Sequence, residues 1–557
     1  MRAMMRLLKN RGGSMVLAAL YTWQMIRNAW VGDDAYITFR ALENFLHGYG
    51  PVFNVGERVQ VFTHPLWFLV QAAINWALAF WTDNPFGNAQ LFFVNVLLSI
   101  GLSVLTVVLL ALWTARTGRA AVIALGLLIL SKSFMDYSSS GLENPLTHLI
   151  LLAFVTVFVR VEDFRKDGAA RGETEGRVTA EQDAREQAAR GYETTWTGRH
   201  VLPLALLAAV GGLDRLDTLL FYVPALLLLV WSSPQRGRAL RLTAWGFLPL
   251  VAWELFSLFY YGAPFPNTAY AKINTGIPAM DLVRQGLFYY WNSLRLDPLT
   301  LVSIAVITLA ALVKGNARTR AIAIGVLLYL LYTVKIGGDF MSGRYFSAPL
   351  LACCALVAGI AIPSRRSFAL AAAAALLVGL APLALVPERA PGFGAGSEGG
   401  HRVHDDGHGI SDEQRVYAGT TLIAAMEGGP LPIHDAHDRW VYTAASPADV
   451  RLIGPLGMRG YVLGPDVHVI DLNSLADPLM PRLPLYETSH WRIGHFRHVV
   501  PDGYEETLST GENRIADEGI AEYYEVLRFV TRGPLWDWKR LVEVWRLNTE
   551  AYDHLIG

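Results

Sequence analysis

Apolar residues along this chain form long runs separated by short polar loops, instead of alternating with polar residues. Runs of about 17 to 25 residues are long enough to cross the hydrocarbon core of a membrane as helices. A further run at 65–81 is interpreted as a helix along the membrane surface, because counting it as a span would put basic loops on both sides. The pattern therefore predicts a polytopic α-helical membrane protein with about eleven spans, at 14–31, 89–114, 119–135, 145–161, 200–213, 216–232, 242–261, 298–313, 320–336, 346–362 and 367–386.

Lysine and arginine are concentrated in short segments that all fall on one side of this arrangement. These segments are the N-terminal leader, Arg116 with Arg119, Arg236 to Arg241, Lys314 to Arg320, and Arg365 with Arg366. The positive-inside rule makes that side cytoplasmic. The opposite loops then face outward across the cytoplasmic (inner) membrane, toward the periplasm, and an odd number of spans places the C-terminal region outside as well.

Three segments do not read as ordinary spans or loops. Residues 1–30 resemble a signal peptide but have no small-residue cleavage site, so we expect an uncleaved first helix. The charged, alanine-rich stretch 162–199 is interpreted as a cytoplasmic insertion without a core. Residues 388–557 are predicted to form a soluble α/β outer domain, with strands near 460–463 and 467–470, after a membrane domain at 1–387 whose first outer loop is 31–88.

Composition supports the membrane assignment and excludes one class of partner. The 557 residues are 53% hydrophobic and 17% charged, with a mean hydropathy of +0.31, which is too apolar for a soluble chain of this length. A net charge of −1 gives no basic surface for nucleic acid. The two cysteines, Cys353 and Cys354, are adjacent in an apolar run and offer neither a disulfide framework nor zinc spacing.

Two adjacent acids, Asp33 and Asp34, directly follow the first apolar segment. Ionised carboxylates are too costly in hydrocarbon, so both are expected at the membrane interface or in a water-lined cavity. Aspartate before AYITFRALENFL is also a good helix N-cap. We expect one acid to cap this helix and the other to act as a general base, for example toward a sugar hydroxyl that attacks an anomeric carbon.

Other outward-facing charges are candidates for the same site. Glu143 is interpreted as catalytic, although a glutamate near a helix N-terminus is also favoured by the helix dipole. Lys272 and Arg344 are assigned to a phosphate, with contact to anionic lipid headgroups as the alternative. In Asp214-Arg215-Leu216-Asp217, Arg215 is expected to pair with an aspartate or to bind the same phosphate.

The outer region contains two further groups of ionisable residues and several aromatic residues. His404/Asp405/Asp406/His408 and His434/Asp435/His437/Asp438 resemble metal-ligand clusters but lack defined metal spacing. The sequence leaves a divalent cation open as a cofactor, because two carboxylates at a phosphate site can act with or without one. Trp440, Trp491, Trp536 and Trp538 could stack on sugars, but core packing is the more common role.

Several motifs together carry a family resemblance. The series DDAYITFR, GERV, THPLW, SGLEN, PNTAYAK and GGDFMSGRYF resembles the GT-C membrane glycosyltransferases, which use polyprenyl-phosphate sugars, and among them those that build actinobacterial arabinan. The resemblance implies a GT-C fold, decaprenyl-phosphate arabinofuranose as donor and an acid of the first outer loop, Asp33 or Asp34, as catalytic residue. Arg40, His64, Asn267 and Asp339, which lie in these motifs, are assigned to substrate binding. Asp214 and Asp217 are assigned to it as well, although their DRLD turn departs from the family pattern.

The expected activity is therefore transfer of a sugar, by the resemblance D-arabinofuranose, to an envelope glycan. Three alternatives stay open: another lipid-linked sugar, a pilin-like protein acceptor, and a lipid-sugar transporter. A transporter should carry its ionisable residues at mid-membrane depth. Here the charges cluster at the outer boundary of the spans, which favours an enzyme. A non-catalytic assembly or sensor subunit is a further class that the sequence leaves open.

Overall fold

The computed structural model describes residues 11–81, 89–172, 198–273, 275–362, 364–385, 407–428 and 450–556. Over these ranges the chain is almost entirely helical. The helices before the outer region are α1 Gly12–Asn28, α2 Asp33–Leu46, α3 Pro65–Trp81, α4 Gln90–Leu109, α5 Gly118–Leu130, α6 Lys132–Asp136, α7 Asn144–Gly172, α8 Gly198–Asp214, α9 Leu219–Trp231, α10 Arg236–Gly246, α11 Leu248–Tyr260, α12 Asn267–Ile273, α13 Ala279–Leu296, α14 Pro298–Lys314, α15 Ala317–Lys335, α16 Ser347–Ala358 and α17 Arg365–Leu385.

All eleven apolar segments predicted to be spans are helical, and 65–81 is helical too. Two helices, Gln90–Thr114 and Ala317–Lys335, are each long and apolar enough to cross a membrane in one piece. Two bent pairs raise the number to as many as four: α10 with α11, bent by 46°, and α13 with α14, bent by 110°. The helices confirm a helical chain of membrane type, and the count of eleven spans stays a prediction.

Small residues let the long helices pack closely, as is common between helices in a bilayer. Gly325 of α15 lies against the backbone of Phe221 in α9, where an added Cβ would come within 2.5 Å of the Phe221 carbonyl oxygen. One turn further, the rings of Phe221 and Tyr329 stack with their centroids 4.4 Å apart. This interior is where Cys353 and Cys354 lie, both fully buried.

The described C-terminal part combines short helices with one small sheet. Strands β1 and β2 pair in parallel, with Val450 opposite His468 and Ile453 opposite Asp471. The elements are α18 Glu413–Val416, α19 Leu422–Met426, β1 Val450–Ile453, α20 Gly457–Leu463, β2 His468–Asp471, α21 Tyr504–Thr510, α22 Glu518–Arg532 and α23 Trp538–Leu547.

One predicted strand is wrong. The expected strand at 467–470 is present at His468–Asp471, whereas 460–463 belongs to helix α20. The β-branched and aromatic residues of Tyr461-Val462-Leu463 favour a strand locally, and tertiary contacts override that preference. The Asp33 carboxylate accepts hydrogen bonds from the amides of Gly457 and Met458, which begin α20, and thereby stabilises the helix.

The C-terminal part packs on the first outer loop through buried polar contacts. The guanidinium of Arg40, which is 2% exposed, donates to the carbonyls of Phe53, Gly460 and Val467. The Asn54 side chain both donates to and accepts from the backbone of Val469. The predicted domain boundary at 388 lies outside the described residues, but the regions on its two sides share this interface.

Gly460 packs closely against the first outer loop, and its substitution tests the interface. A Cβ at this position would lie 2.5 Å from the buried ring of Phe53. Gly460→Ala is therefore expected to destabilise the protein by about 1–3 kcal/mol through overpacking. The matched control is Gly454→Ala, where the site is open and φ is not positive. A lower thermal midpoint for Gly460→Ala only is the expected result; equal midpoints would contradict close packing at this position.

Candidate functional site

The two adjacent acids have different environments. Both lie in the first turn of α2, whose N-cap is Gly32 without a side-chain cap, so neither caps its own helix as expected. Asp33 points to the C-terminal part, where it accepts from the amides of Gly457, at 3.1 Å, and Met458, at 2.8 Å. Within the described part of the chain, the Asp34 carboxylate accepts no hydrogen bond and stays open to a ligand.

Asp34 lies among charges of both signs. Burial raises the pKa of Asp34, the charges of Arg344 and Lys272 lower it, and Asp33 and Asp339 raise it; together these effects bring the pKa to about 6. A carboxylate with this pKa is mainly ionised at neutral pH and is still basic enough to accept a proton. The environment of Asp34 is therefore the one expected of a general base.

Glu143 is the centre of an ion network beside this acid. It is completely buried and accepts from the guanidinium groups of Arg215, at 2.6 Å, and Arg344, at 3.1 Å. His64 places its Nδ1 3.2 Å from the same carboxylate, and its Nε2 lies 2.9 Å from the Thr38 hydroxyl. Burial disfavours ionisation of Glu143, but Arg344 and Arg215 outweigh it and hold its pKa well below the usual range. Glu143 thus orients the two arginines.

Both arginines have a second carboxylate partner. Arg215 pairs with Asp217 through two hydrogen bonds and lies over the ring of Tyr345 at 5.1 Å. Arg344 is 3.4 Å from Asp339. Each guanidinium is thus held from two sides, so its position is fixed before any ligand binds.

The loop of GGDFMSGRYF depends on glycine to place Asp339 and Arg344. Gly338 has φ +74° and lies against the ring of Tyr289, where a Cβ would be 2.5 Å away. Gly343, with φ +77°, is equally close to the Ser133 hydroxyl and immediately precedes Arg344. Side chains at these positions would be strained and would clash, so the loop adopts this turn because glycine stands at both.

The remaining residues predicted from the sequence are not all in this cluster. Lys272 lies in α12, where its charge acts on Asp34 and on His495. Asn267, also in α12, donates to the carbonyls of Ser474, Leu475 and Asp477, and so joins α12 to the C-terminal part. Asp214 is buried and accepts from the Thr147 hydroxyl. Arg40 and Asn267 donate to backbone carbonyls, whereas the buried Oδ1 of Asp214 has no partner among the described residues. The assignment of all three to substrate binding stays a prediction.

One acid near the site was missed in the sequence. Glu413 is 9% exposed, and burial together with the charge of Asp34 raises its pKa to about 8. The preceding residue, Asp412, forms a salt bridge of 3.0 Å with Lys132, which fixes this segment against α6. Glu413 follows a glycine- and histidine-rich stretch that resembles a linker, so the sequence offered little reason to choose it. The one available signal was an acidic residue at the start of a helix, α18.

The metal-binding predictions are largely not covered by the structure. His404, Asp405, Asp406 and the cluster from His434 to Asp438 lie outside the described residues. His408 is described, and its ring stacks on Phe288 with centroids 3.8 Å apart. Within the described ranges, no group of three or more histidine, cysteine, aspartate or glutamate side chains is placed to hold a metal ion.

Comparison with known proteins finds two similar enzymes. A terminal β-(1→2)-arabinofuranosyltransferase of Mycobacterium tuberculosis is 28% identical over 570 aligned residues, covering 87% of this chain and 83% of that enzyme. An enzyme of the same name from Corynebacterium glutamicum is 29% identical over 357 residues, covering 59% of this chain and 48% of that enzyme. No family model and no solved structure matches the chain.

These relatives, together with the apolar helices, identify the chain as a glycosyltransferase and indicate a membrane protein. More particularly, the chain is a distant relative of the terminal β-(1→2)-arabinofuranosyltransferases.

Proposed function

We propose that this protein transfers D-arabinofuranose from a polyprenyl phosphate to an envelope glycan, at the outer face of the cytoplasmic membrane. The observation that carries the proposal is the position of Asp34, a carboxylate without a hydrogen-bond partner among the described residues, whose ionisation is favoured by Arg344 and Lys272. A base next to two cations matches a reaction in which a hydroxyl loses a proton while a phosphate leaves.

In this mechanism Asp34 is the general base. The acceptor hydroxyl oxygen forms a bond to the anomeric carbon of the sugar, and its proton passes to the Asp34 carboxylate. The bond between the anomeric carbon and the phosphate oxygen breaks, and the bonding electron pair leaves with the polyprenyl phosphate. Asp33, which binds the start of α20, positions Asp34 and the C-terminal part relative to each other.

Lys272 and Arg344 would bind the leaving phosphate. Glu143 and Asp339 hold the Arg344 guanidinium in place, so little reorganisation is needed as charge develops. The prenyl tail would remain in the bilayer, which explains why such an enzyme needs membrane helices. The basic loops at the opposite ends of the spans support an outward-facing site, with residues 388–557 holding the acceptor outside the membrane.

Substitution of Lys272 tests the phosphate role. Lys272→Met should raise the KM for decaprenyl-phosphate arabinofuranose about tenfold or more, because one charge-assisted contact is worth about 1.5–3 kcal/mol. The measurement is transfer by purified protein in liposomes with a short arabinan acceptor, and decaprenyl-phosphate mannose serves as a second donor. An unchanged KM would contradict the phosphate role; transfer of mannose alone would favour a different lipid-linked sugar.

The pH dependence tests the base. Because Asp34 must be ionised to accept a proton, kcat/KM should be constant near neutral pH and should decrease as pH falls through about 6. Lys272→Met removes a charge that lowers the pKa of Asp34, so the same decrease should occur at higher pH. An acid limb near pH 4, or one that does not move in the variant, would contradict this assignment.

A further inference from the structure

Three tryptophans at the C-terminal end of the chain are far more exposed than tryptophans in a folded protein usually are. Trp536, Trp538 and Trp545 are 86%, 75% and 71% exposed. Trp538 and Trp545 lie seven positions apart on α23 and so share one face of the helix. The opposite side of α23 carries Arg540 and Val544, which are buried.

The buried side of α23 is attached to the end of a candidate span. The Arg540 guanidinium donates to the carbonyls of Phe259 and Tyr260, at 2.8 and 2.9 Å, which are the last two residues of α11. Asn548 donates to the carbonyl of Gly262, and the ring of Trp536 lies 4.9 Å from that of Phe259. Since α10 and α11 together qualify as a bent span, α23 lies at the depth where this span ends.

The exposed residues of α11 support the placement of α23 at the outer end of this span. On α11, Leu248, Val251 and Leu255 are 48%, 47% and 62% exposed, as expected for residues that face lipid tails. Tryptophan is enriched where a membrane span meets the headgroups, because its ring is apolar and its N–H is polar. Trp536, whose ring contacts Phe259 one turn after Leu255, therefore continues the exposed apolar surface of α11 at its outer end.

We propose that α23 lies in the headgroup layer of the bilayer and that its exposed tryptophan face contacts phospholipid. A groove of about 510 Å³ between α22 and α23 is lined by Phe529, Trp538 and Val542, and its charged residues are Lys539, Arg546, Glu525 and Glu543. Glu543 pairs with Arg546 at 3.1 Å, so the apolar walls match an acyl chain and Lys539 can contact the lipid phosphate.

The contact would fix the height of the C-terminal part above the membrane. Arg58 donates to the carbonyls of Val530 and Gly533, and Arg532 forms a 2.9 Å salt bridge with Glu57. Both Glu57 and Arg58 lie in the first outer loop, which begins at the two acids of the site. An anchor on α23 thus sets the distance between the site and the bilayer that would hold the prenyl donor.

A fluorescent label tests this anchor directly. Trp545→Cys is labelled with bimane and the full-length protein is placed in nanodiscs that contain a lipid with a nitroxide near its headgroup; Cys353 and Cys354 are buried and should not react. Glu512→Cys is the matched control, because this exposed side chain lies in an acidic stretch. Trp538→Cys repeats the test at a second position.

We expect lipid nitroxide to quench the labels at 545 and 538 about threefold more than the label at 512, and iodide in the buffer to quench them less. Equal quenching at all three positions would overturn the proposal. Protection of the two labels by added arabinan, or quenching that rises with protein density without lipid nitroxide, would also overturn it and assign the face to a glycan or to a second copy. Quenching is measured without enzymatic turnover, so the proposed membrane contact can be disproved without disproving the proposed reaction, and the reverse.

Discussion

Asp34→Asn is expected to lower the rate of sugar transfer by about 100- to 10,000-fold, the contribution usual for a general base. The asparagine amide has nearly the same volume but cannot accept the proton of the attacking hydroxyl. Because Asp34 makes no hydrogen bond within the described structure, the variant should retain the fold and the thermal midpoint of the wild type. Turnover of the lipid-linked donor by purified variant and wild type, with melting curves of both, measures the two effects.

Asp33→Asn is the matched control. Asparagine can accept only one of the two amide hydrogen bonds now made to Gly457 and Met458, and it loses the charge. We expect a loss of stability of about 1–3 kcal/mol with a rate much closer to wild type. The reverse pattern, with Asp33→Asn inactive and Asp34→Asn active, would assign the base to Asp33 and contradict the proposed roles of the two acids.

Glu143→Gln is expected to have the largest effect on stability. The carboxylate is completely buried between Arg215 and Arg344, so its neutralisation leaves two guanidinium groups with less opposing charge. Breaking a buried ion pair on one side costs about 3–5 kcal/mol. Arg344 would also lose the partner that holds it near Asp34, and transfer should fall with stability.

Asp217→Asn is the matched control, because Asp217 pairs with Arg215 but does not contact Glu143. Arg215 would keep its 2.6 Å bond to Glu143, so a clearly smaller decrease in the thermal midpoint is expected. In Glu143→Gln each arginine keeps one carboxylate, Asp217 or Asp339, so adding Arg215→Gln would leave Asp217 without its partner and should lower the thermal midpoint further. A Glu143→Gln protein with wild-type midpoint and rate would show that the network has no positioning role.

The helices could be predicted because a helix long enough to cross a membrane needs a long run of apolar residues, and such runs are visible in the sequence alone. Every apolar run predicted as a span is mainly helical, although 119–135 is divided at Ser131 and 242–261 at Phe247. The strand expected at 460–463 failed because its conformation depends on Asp33, more than 400 residues away along the chain. The strand propensity of a short segment depends on its own residues and contains no information about a contact that far away in the sequence.

The site was predicted by residue type and not by role. Sequence places Asp33 and Asp34 one position apart, and helix geometry turns neighbouring side chains by about 100°, so one binds α20 and the other faces the cations. Glu143 was expected to be catalytic, and that assignment stays a prediction; its burial between two arginines favours a positioning role. Glu413 was missed because it reaches the site only through the fold of the C-terminal part.

The proposed reaction is best tested by transfer of labelled arabinose from decaprenyl-phosphate arabinofuranose to a synthetic arabinan, catalysed by the purified protein in liposomes. We expect labelled, elongated acceptor with the wild type and almost none with Asp34→Asn at equal protein and equal fold. Absence of product from well-folded wild type, or equal product from both proteins, would contradict the proposed reaction and its base.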